Sequence, residues 1–217
     1  MRVLVVAIAG VLLPALAHAQ SDVPRLPRND ATLSIGWNGG WYEDIGEYDH
    51  WHGTLFGGMS AGHYWTHNLK TDVEAAWLST AKATNYEPII LNGATTYVRS
   101  NYLVKDLKLS LGQSFQFGRN AWVHRYLGAG VDITHRRQTE DRPPQFASVF
   151  TGTTSPSRTV LVPSLREHES EIRAVPFVKG GFKMYVSDRM FFTQELKFGL
   201  GEHLDHALWK TGIGVDF

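Results

Sequence analysis

The chain contains no cysteine, which excludes disulfides, thiolate metal ligands and cysteine redox chemistry. It also has no excess of either charge, with 21 Lys and Arg against 21 Asp and Glu. Bulk electrostatics therefore steers it toward no polyanion, and nucleic acid is not an expected partner. Long apolar runs are missing as well. The one candidate, Val3 to Leu16, is shorter than the roughly 20 residues that a membrane-spanning helix needs, so a helical membrane protein is not expected.

That single run has another reading. Met1-Arg2 supplies a positive start, and Ala17-His18-Ala19 is a small-x-small cleavage site before Gln20. Residues 1–19 are therefore expected to be a secretory signal peptide, directing export. Without Arg2 the remainder carries 20 basic residues (21 less one) against 21 acidic ones, close to neutral. Residues 20–30, with Pro24 and Pro27, read as a short periplasmic lead-in. Residues 31–217 read as one domain.

What the chain has in quantity is strict two-residue alternation. Ala207, Trp209, Thr211, Ile213, Val215 and Phe217 share one face of the last segment, while Lys210, Gly212, Gly214 and Asp216 share the other. The pattern recurs. Leu33, Ile35, Trp37 and Trp41 oppose Thr32, Ser34, Asn38 and Tyr42, and a glycine-rich strand follows from about Trp51 to Trp65. In 69–82, Leu69, Val73, Ala75, Trp77 and Ala81 oppose Lys70, Asp72, Glu74 and Lys82. Leu107, Leu109, Leu111, Phe115 and Phe117 oppose Asp106, Lys108, Ser110 and Gln116. The part above them, 97–104, changes phase, through either a bulge or an extension beyond a bilayer. Val123, Leu127, Ala129, Val131 and Ile133 oppose Trp122, His124, Gly128, Gly130 and Asp132. Lys179, Gly181 and Lys183 share a face, and Phe192, Leu196, Phe198 and Leu200 oppose Glu195 and Lys197.

The breaks between these segments alternate in length. Tight polar turns fall at Thr66-His67-Asn68, Gly118-Arg119-Asn120 and Ser187-Asp188-Arg189. Longer loops fall at 43–50, 85–93, 136–171 and 201–206, the third being the main outer loop. Short turns on one side and long loops on the other are the asymmetry of a transmembrane barrel, with short turns in the periplasm. The fold class expected is all-β: an eight-stranded antiparallel up-and-down transmembrane β-barrel. At that size the interior is just wide enough for side chains to fill, so an open pore is not expected.

Enclosed charges must be paired, and the inward faces supply both signs. Lys70, Lys82, Lys108, Lys179, Lys183, Lys197 and Lys210 can meet Asp72, Glu74, Asp106, Asp132, Glu195 and Asp216 across the lumen. A structural ion-pair core is the expectation; a proton or ion path is the sharper alternative.

The signal segment, Trp122-Val-His-Arg-Tyr-Leu-Gly-Ala-Gly-Val131, the hairpin 182–200 and Gly212-Ile-Gly-Val-Asp-Phe217 together resemble the small bacterial outer-membrane β-barrel proteins with an OmpA-like membrane domain. The resemblance covers nearly all of the chain beyond the signal. It implies an outer-membrane location, and insertion by the barrel assembly machinery, which reads the terminal aromatic, here Phe217. It specifies architecture rather than activity, because members include structural proteins, adhesins, binders and a few enzymes.

Three finer functions follow for weighing. Some small barrels are lipid A deacylases that use a lipid-facing histidine with a serine two residues on. His168-Glu169-Ser170 has that spacing, but it falls in the polar outer-loop region, where a solvated segment is expected. Glu47, Asp49, His50 and His52 in the first loop and Glu202, His203, Asp205 and His206 in the last become neighbours when a barrel closes, a weak candidate cation site without diagnostic spacing. Arg136, Arg137, Arg142, Arg158, Arg166 and Arg173, interleaved with Phe146 and Phe150, suit phosphate recognition, so lipopolysaccharide or a host or cell-surface ligand is a candidate partner, although Glu140, Asp141, Glu167, Glu169 and Glu171 make a mixed, solvated loop the default expectation. Trp41, Trp51, Trp65, Trp77, Trp122 and Trp209 read as an interfacial girdle and core residues.

The expected role is structural or surface-interactive, in a monomer without cofactor or catalysis, and among outer-membrane lipids. The alternatives are a lipid A-modifying enzyme or a small-ligand or cation-binding barrel. The competing fold is a soluble lipocalin-like barrel, which would place the same apolar faces inside and the charges outside. Alternation alone does not distinguish these two.

Overall fold

Period-two alternation forces each strand to present one chemistry to each side of a sheet, and the computed structural model shows which side is which. It describes residues 28–42, 50–91, 94–117, 122–149, 158–202 and 204–217. The signal segment, most of the lead-in, the turn at 118–120 and His203 lie outside the described residues.

Among the described residues eleven strands occur: β1 (Asn29–Tyr42), β2 (His50–Tyr64), β3 (Leu69–Leu78), β4 (Ala81–Leu91), β5 (Ala94–Phe117), β6 (Val123–Arg142), β7 (Gln145–Val149), β8 (Arg158–Val162), β9 (Leu165–Tyr185), β10 (Met190–Leu200) and β11 (Leu204–Asp216). Eight of them, β1, β2, β3, β5, β6, β9, β10 and β11, close an antiparallel ring. Its seam is the pairing of β1 with β11, from Asp30 opposite Asp216 to Gly40 opposite His206. Reciprocal backbone bonds between Asn29 and Phe217, 3.0 and 2.9 Å, finish it. Strand pairing thus begins at Asn29, inside the segment read as a lead-in.

The wall is apolar outside. Leu33, Ile35, Trp37, Leu107, Leu109, Leu111, Trp209 and Ile213 are exposed, while Lys108, Asp132, Lys179, Lys183, Glu195 and Lys197 are buried. This excludes the lipocalin-like arrangement, which needs the opposite sorting. On β5 the exposed belt runs from Leu107 to Phe117, the about 9–11 residues that a tilted strand needs to cross a bilayer. Trp65, Trp77, Trp122 and Trp209 all face outward; the side chains of Trp41 and Trp51 are outside the described set.

Two described turns at one end are tight. Val186 donates to the Met190 carbonyl at 2.9 Å, and the Thr66 hydroxyl accepts from the Asn68 and Leu69 amides, the side-chain turn chemistry that Ser and Thr supply.

At the other end the strands outrun the bilayer. β5, β6 and β9 are 24, 20 and 21 residues long. The segment 136–171, read as an irregular loop, is instead the upper part of β6, the β7–β8 hairpin and the start of β9. Above the membrane the outer face of a strand meets water too, so the contrast between an apolar and a polar face fades although pairing continues, with Arg142 still opposite Leu165. Residues 85–91, also read as loop, are strand β4. It lies at the edge of its sheet, where Pro88 withholds no ladder bond on its unpaired side.

The expected phase change over 97–104 does not occur. Thr96, Val98, Ser100, Tyr102 and Val104 are all buried, in step with Asp106 and Lys108 below. What changes is the chemistry of the inner face. Val98 packs with Ala147 and Val162 of the hairpin, and Tyr102 with Ala81 and Val104, so the hairpin supplies an apolar lining above the ionic one.

Phase slips elsewhere. Trp77 pairs with Leu107 but Ala81 with Val104, so β3 and β4 advance four residues while β5 advances three. One extra residue at Ser79-Thr80 flips every following side chain. Ala81 is therefore buried and Lys82 exposed, the reverse of the expectation for both. Trp122 is corrected too: at 67% exposed it is no lumen residue, because it precedes the first residue of β6.

Candidate functional site: the enclosed ion network

The lumen is the one place where this fold must solve a costly problem, since each ion removed from water loses several kcal/mol of hydration. The solution is a column of opposite charges supplied by facing strands. Near the short-turn end, Asp30 of β1 accepts ion pairs from Lys70 at 2.9 Å and Lys183 at 3.1 Å, and Lys183 also reaches Asp216 at 2.5 Å. Tyr64 donates to Asp30 at 3.0 Å and accepts from Gln116 at 2.9 Å. Tyr185 donates to the second oxygen of Asp216. The Lys183 ammonium sits 3.6 Å from the Phe191 ring centroid, so even its apolar neighbour stabilises the cation.

One layer up, Lys179 pairs with Asp72 and stands 3.8 Å from Glu195, while Lys210 bridges Glu74 and Glu195. Ser114 donates to Asp72 and Tyr126 to Glu195, both at 2.9 Å. Lys197 carries the column further. Its three ammonium protons find Glu74 at 3.1 Å, Ser110 at 2.9 Å and Asp132 at 3.1 Å, the full donor capacity of a lysine. Lys108 stands 3.5 Å from Asp132. Among the described residues, six lysines (70, 108, 179, 183, 197, 210) thus meet six carboxylates (30, 72, 74, 132, 195, 216). The column is neutral as a whole.

Apolar groups seal the upper part. Phe56, Ala76 and Leu208 form a buried cluster, and Phe177 lies across the register row Gly112–Gly130. A β-carbon at Gly130 would overlap both the Phe177 ring and the neighbouring strand, so this row needs glycine for close approach. Above it, Arg136 clasps Asp106 through two nitrogens at 3.1 and 3.2 Å, and Arg173 bonds Asp205 at 2.9 Å. The space left in the ionic column is about 50 Å³, enough for a few waters.

All twelve charges expected in the interior (Lys70, Asp72, Glu74, Asp106, Lys108, Asp132, Lys179, Lys183, Glu195, Lys197, Lys210 and Asp216) point into the barrel and enter ion pairs. Lys82 does not. The residues missed are Asp30, Arg136, Tyr64, Tyr126 and His206. Asp30 and His206 were legible in principle, since each keeps the parity of its strand; both were assigned to segments outside the wall.

Among the described residues the cation-site histidines are not brought together as a site. His206 is buried, with Nε2 at 3.1 Å from Asp132 and Nδ1 at 3.0 Å from Asp205, and so belongs to the network. His52 is partly buried on β2, the side chain of His50 is not described, and His203 lies outside the described residues. Among the described residues no group of three His, Asp or Glu is arranged to hold a metal ion. His168 and Ser170 sit on the exposed outer face of β9 rather than in a loop; the His168 Nδ1 is 3.0 Å from the Thr139 hydroxyl.

No protein-family model matches the chain, and no curated protein sequence does. Solved structures do. Neisserial surface protein A is 12% identical, with 87% of this chain and 96% of that one covered at a TM-score of 0.51. The N-terminal β-barrel domain of Pseudomonas aeruginosa OprF is 11% identical over 89% and 100%, TM-score 0.49. The outer membrane protein OprG of the same organism is 10% identical over 88% and 97%, TM-score 0.46. The chain has the fold of the small bacterial outer-membrane β-barrels.

Proposed function

We propose that this chain is a closed outer-membrane barrel whose work is done by the structure it raises above the bilayer, a structural or surface-interaction role without transport or catalysis. The observation that carries this reading is strand length. β5, β6 and β9 have about twice the residues needed to cross, and the surplus is not slack chain. Arg142 joins Glu87 and Glu140 at 3.1 and 3.0 Å, and Gln145 exchanges two bonds with the Arg99 backbone at 3.0 and 2.9 Å. A rigid platform held outward on a sealed stem suits presentation to a partner or to neighbouring lipid. It does not suit passage of solutes. On this reading residues 1–19 direct export, Phe217 serves insertion by the assembly machinery, and one copy suffices.

An epitope placed between β7 and β8 should be labelled on intact cells, and the folded barrel should migrate faster on gels before heating than after. Labelling only after the outer membrane is permeabilised would contradict the proposal.

The shared outward face of His168 and Ser170 favours one second reading, a lipid A-modifying activity. A catalytic histidine is commonly oriented by a carboxylate or an amide, whereas His168 is held by the Thr139 hydroxyl. Expression of the protein is expected to leave the lipid A acylation pattern unchanged, with His168→Ala and Ser170→Ala indistinguishable from wild type by mass spectrometry. An acylation change lost in either variant would establish the enzyme.

A further inference from the structure

The loop arginines do not act as one group. Arg136, Arg142 and Arg173 turn inward to carboxylates, and Arg166 pairs with Asp141 on the outside at 3.1 Å. Arg137 is different. It is exposed on the outer face of β6 directly opposite exposed Lys105 of β5, and among the described residues neither takes part in an ion pair. Like charges facing each other across an antiparallel pair destabilise it, so the arrangement invites an anion between them.

Its height on the wall says which anion. The row below is Leu107, His135 and Ile172, the top of the belt; the row above is Lys82, Leu103, Thr139 and His168; Ser170 flanks Arg137. None of these positions is a carboxylate. Two cations therefore project sideways at the level where acyl chains end and headgroups begin, at the end of the barrel away from the tight turns. A soluble partner would have to approach through the lipid headgroups to reach them, whereas a lipid headgroup is already there.

We propose that Lys105 and Arg137 form a clasp for a phosphomonoester on a glycolipid of the lipid A type in the outer leaflet, with His135 and Ser170 as auxiliary hydrogen-bond donors. A guanidinium forks onto two phosphate oxygens while an ammonium supplies a point charge, and the pair matches the nearly double charge of a monoester. The inference rests on the outer-membrane placement proposed above.

The test is lipid enrichment around the full-length protein in phosphatidylcholine nanodiscs doped with lipid A, with bound lipid counted by native mass spectrometry. Wild type should retain lipid A, and Lys105→Gln/Arg137→Gln should lower its retention about tenfold, as loss of charge-assisted bonds implies. Arg125→Gln, an exposed outward charge on the same strand β6 as Arg137 but toward the opposite rim, should change nothing. Equal retention by the double variant, equal retention of dephosphorylated lipid A, or equal enrichment of phosphatidylglycerol would each overturn the clasp. Binding of inorganic phosphate alone with the same dependence on Lys105 and Arg137 would overturn the lipid assignment. Heat-modifiable migration and outer-membrane fractionation, measured on the same preparations, report separately on the barrel reading: a wild type lacking both overturns that reading, while a properly folded double variant with unchanged retention overturns only the clasp.

Discussion

Lys197→Met is expected to destabilise the barrel by about 3–5 kcal/mol, the cost of stripping one partner from a buried ionic group. Lys197 is 1% exposed and holds Glu74, Ser110 and Asp132 together. Methionine fills the same volume but returns none of those bonds, and it leaves the enclosed column one negative charge in excess. Urea unfolding from lipid vesicles, followed by loss of the heat-modifiable form, measures the change. The second substitution in Lys197→Met/Glu74→Gln restores the balance, because Lys210 keeps Glu195. The double variant should therefore recover more than half the loss, a coupling that independent sites do not show. A harmless single substitution would mean that the lumen is wetter than the network described.

Phe177→Ala should cost a comparable amount, about 3–5 kcal/mol, through the cavity it leaves beside Gly112 and Gly130. The Lys197 ammonium, 4.3 Å from the Phe177 ring centroid, loses its aromatic contact at the same time. Phe198→Ala is the control. That side chain faces outward, where acyl chains refill the space, and its loss should cost at most about 1 kcal/mol. The contrast between two phenylalanines on adjacent strands depends on nothing but which side of the wall each occupies. Equal costs would remove the distinction between a packed lumen and a lipid-bathed exterior.

These expectations were partly legible in the sequence, and the reasons are specific. Within the bilayer one face must be apolar and the other may hold ions, so Lys70, Asp72, Glu74, Lys179, Glu195, Lys197 and Lys210 could be assigned inward from parity once the membrane barrel is taken as the fold. The tight turns at Thr66-His67-Asn68 and Ser187-Asp188-Arg189 could be assigned from their composition. Parity fails where the count fails. One extra residue at Ser79-Thr80 reverses Ala81 and Lys82, and no local pattern announces it. Trp122 was misplaced by extending the rule one residue past the end of its strand. The upper strands were hidden for another reason: with water on one side and a small hairpin on the other, Val98 and Tyr102 point inward as apolar residues where Asp106 and Lys108 point inward as charges. Arg136 reads as one of the loop arginines because its partner Asp106 is visible only once β5 and β6 stand side by side, and His206 reads as a loop residue although its parity with Leu208 and Lys210 on β11 already points it inward.

Fluorescence quenching tests the polarity of the wall most directly. Trp37, Trp65, Trp77, Trp122 and Trp209 are all outward-facing. In vesicles made with brominated acyl chains the tryptophan emission should therefore fall strongly, while aqueous iodide should quench it little. Emission untouched by bromolipid but readily quenched by iodide would place the tryptophans in water and contradict the membrane barrel described here.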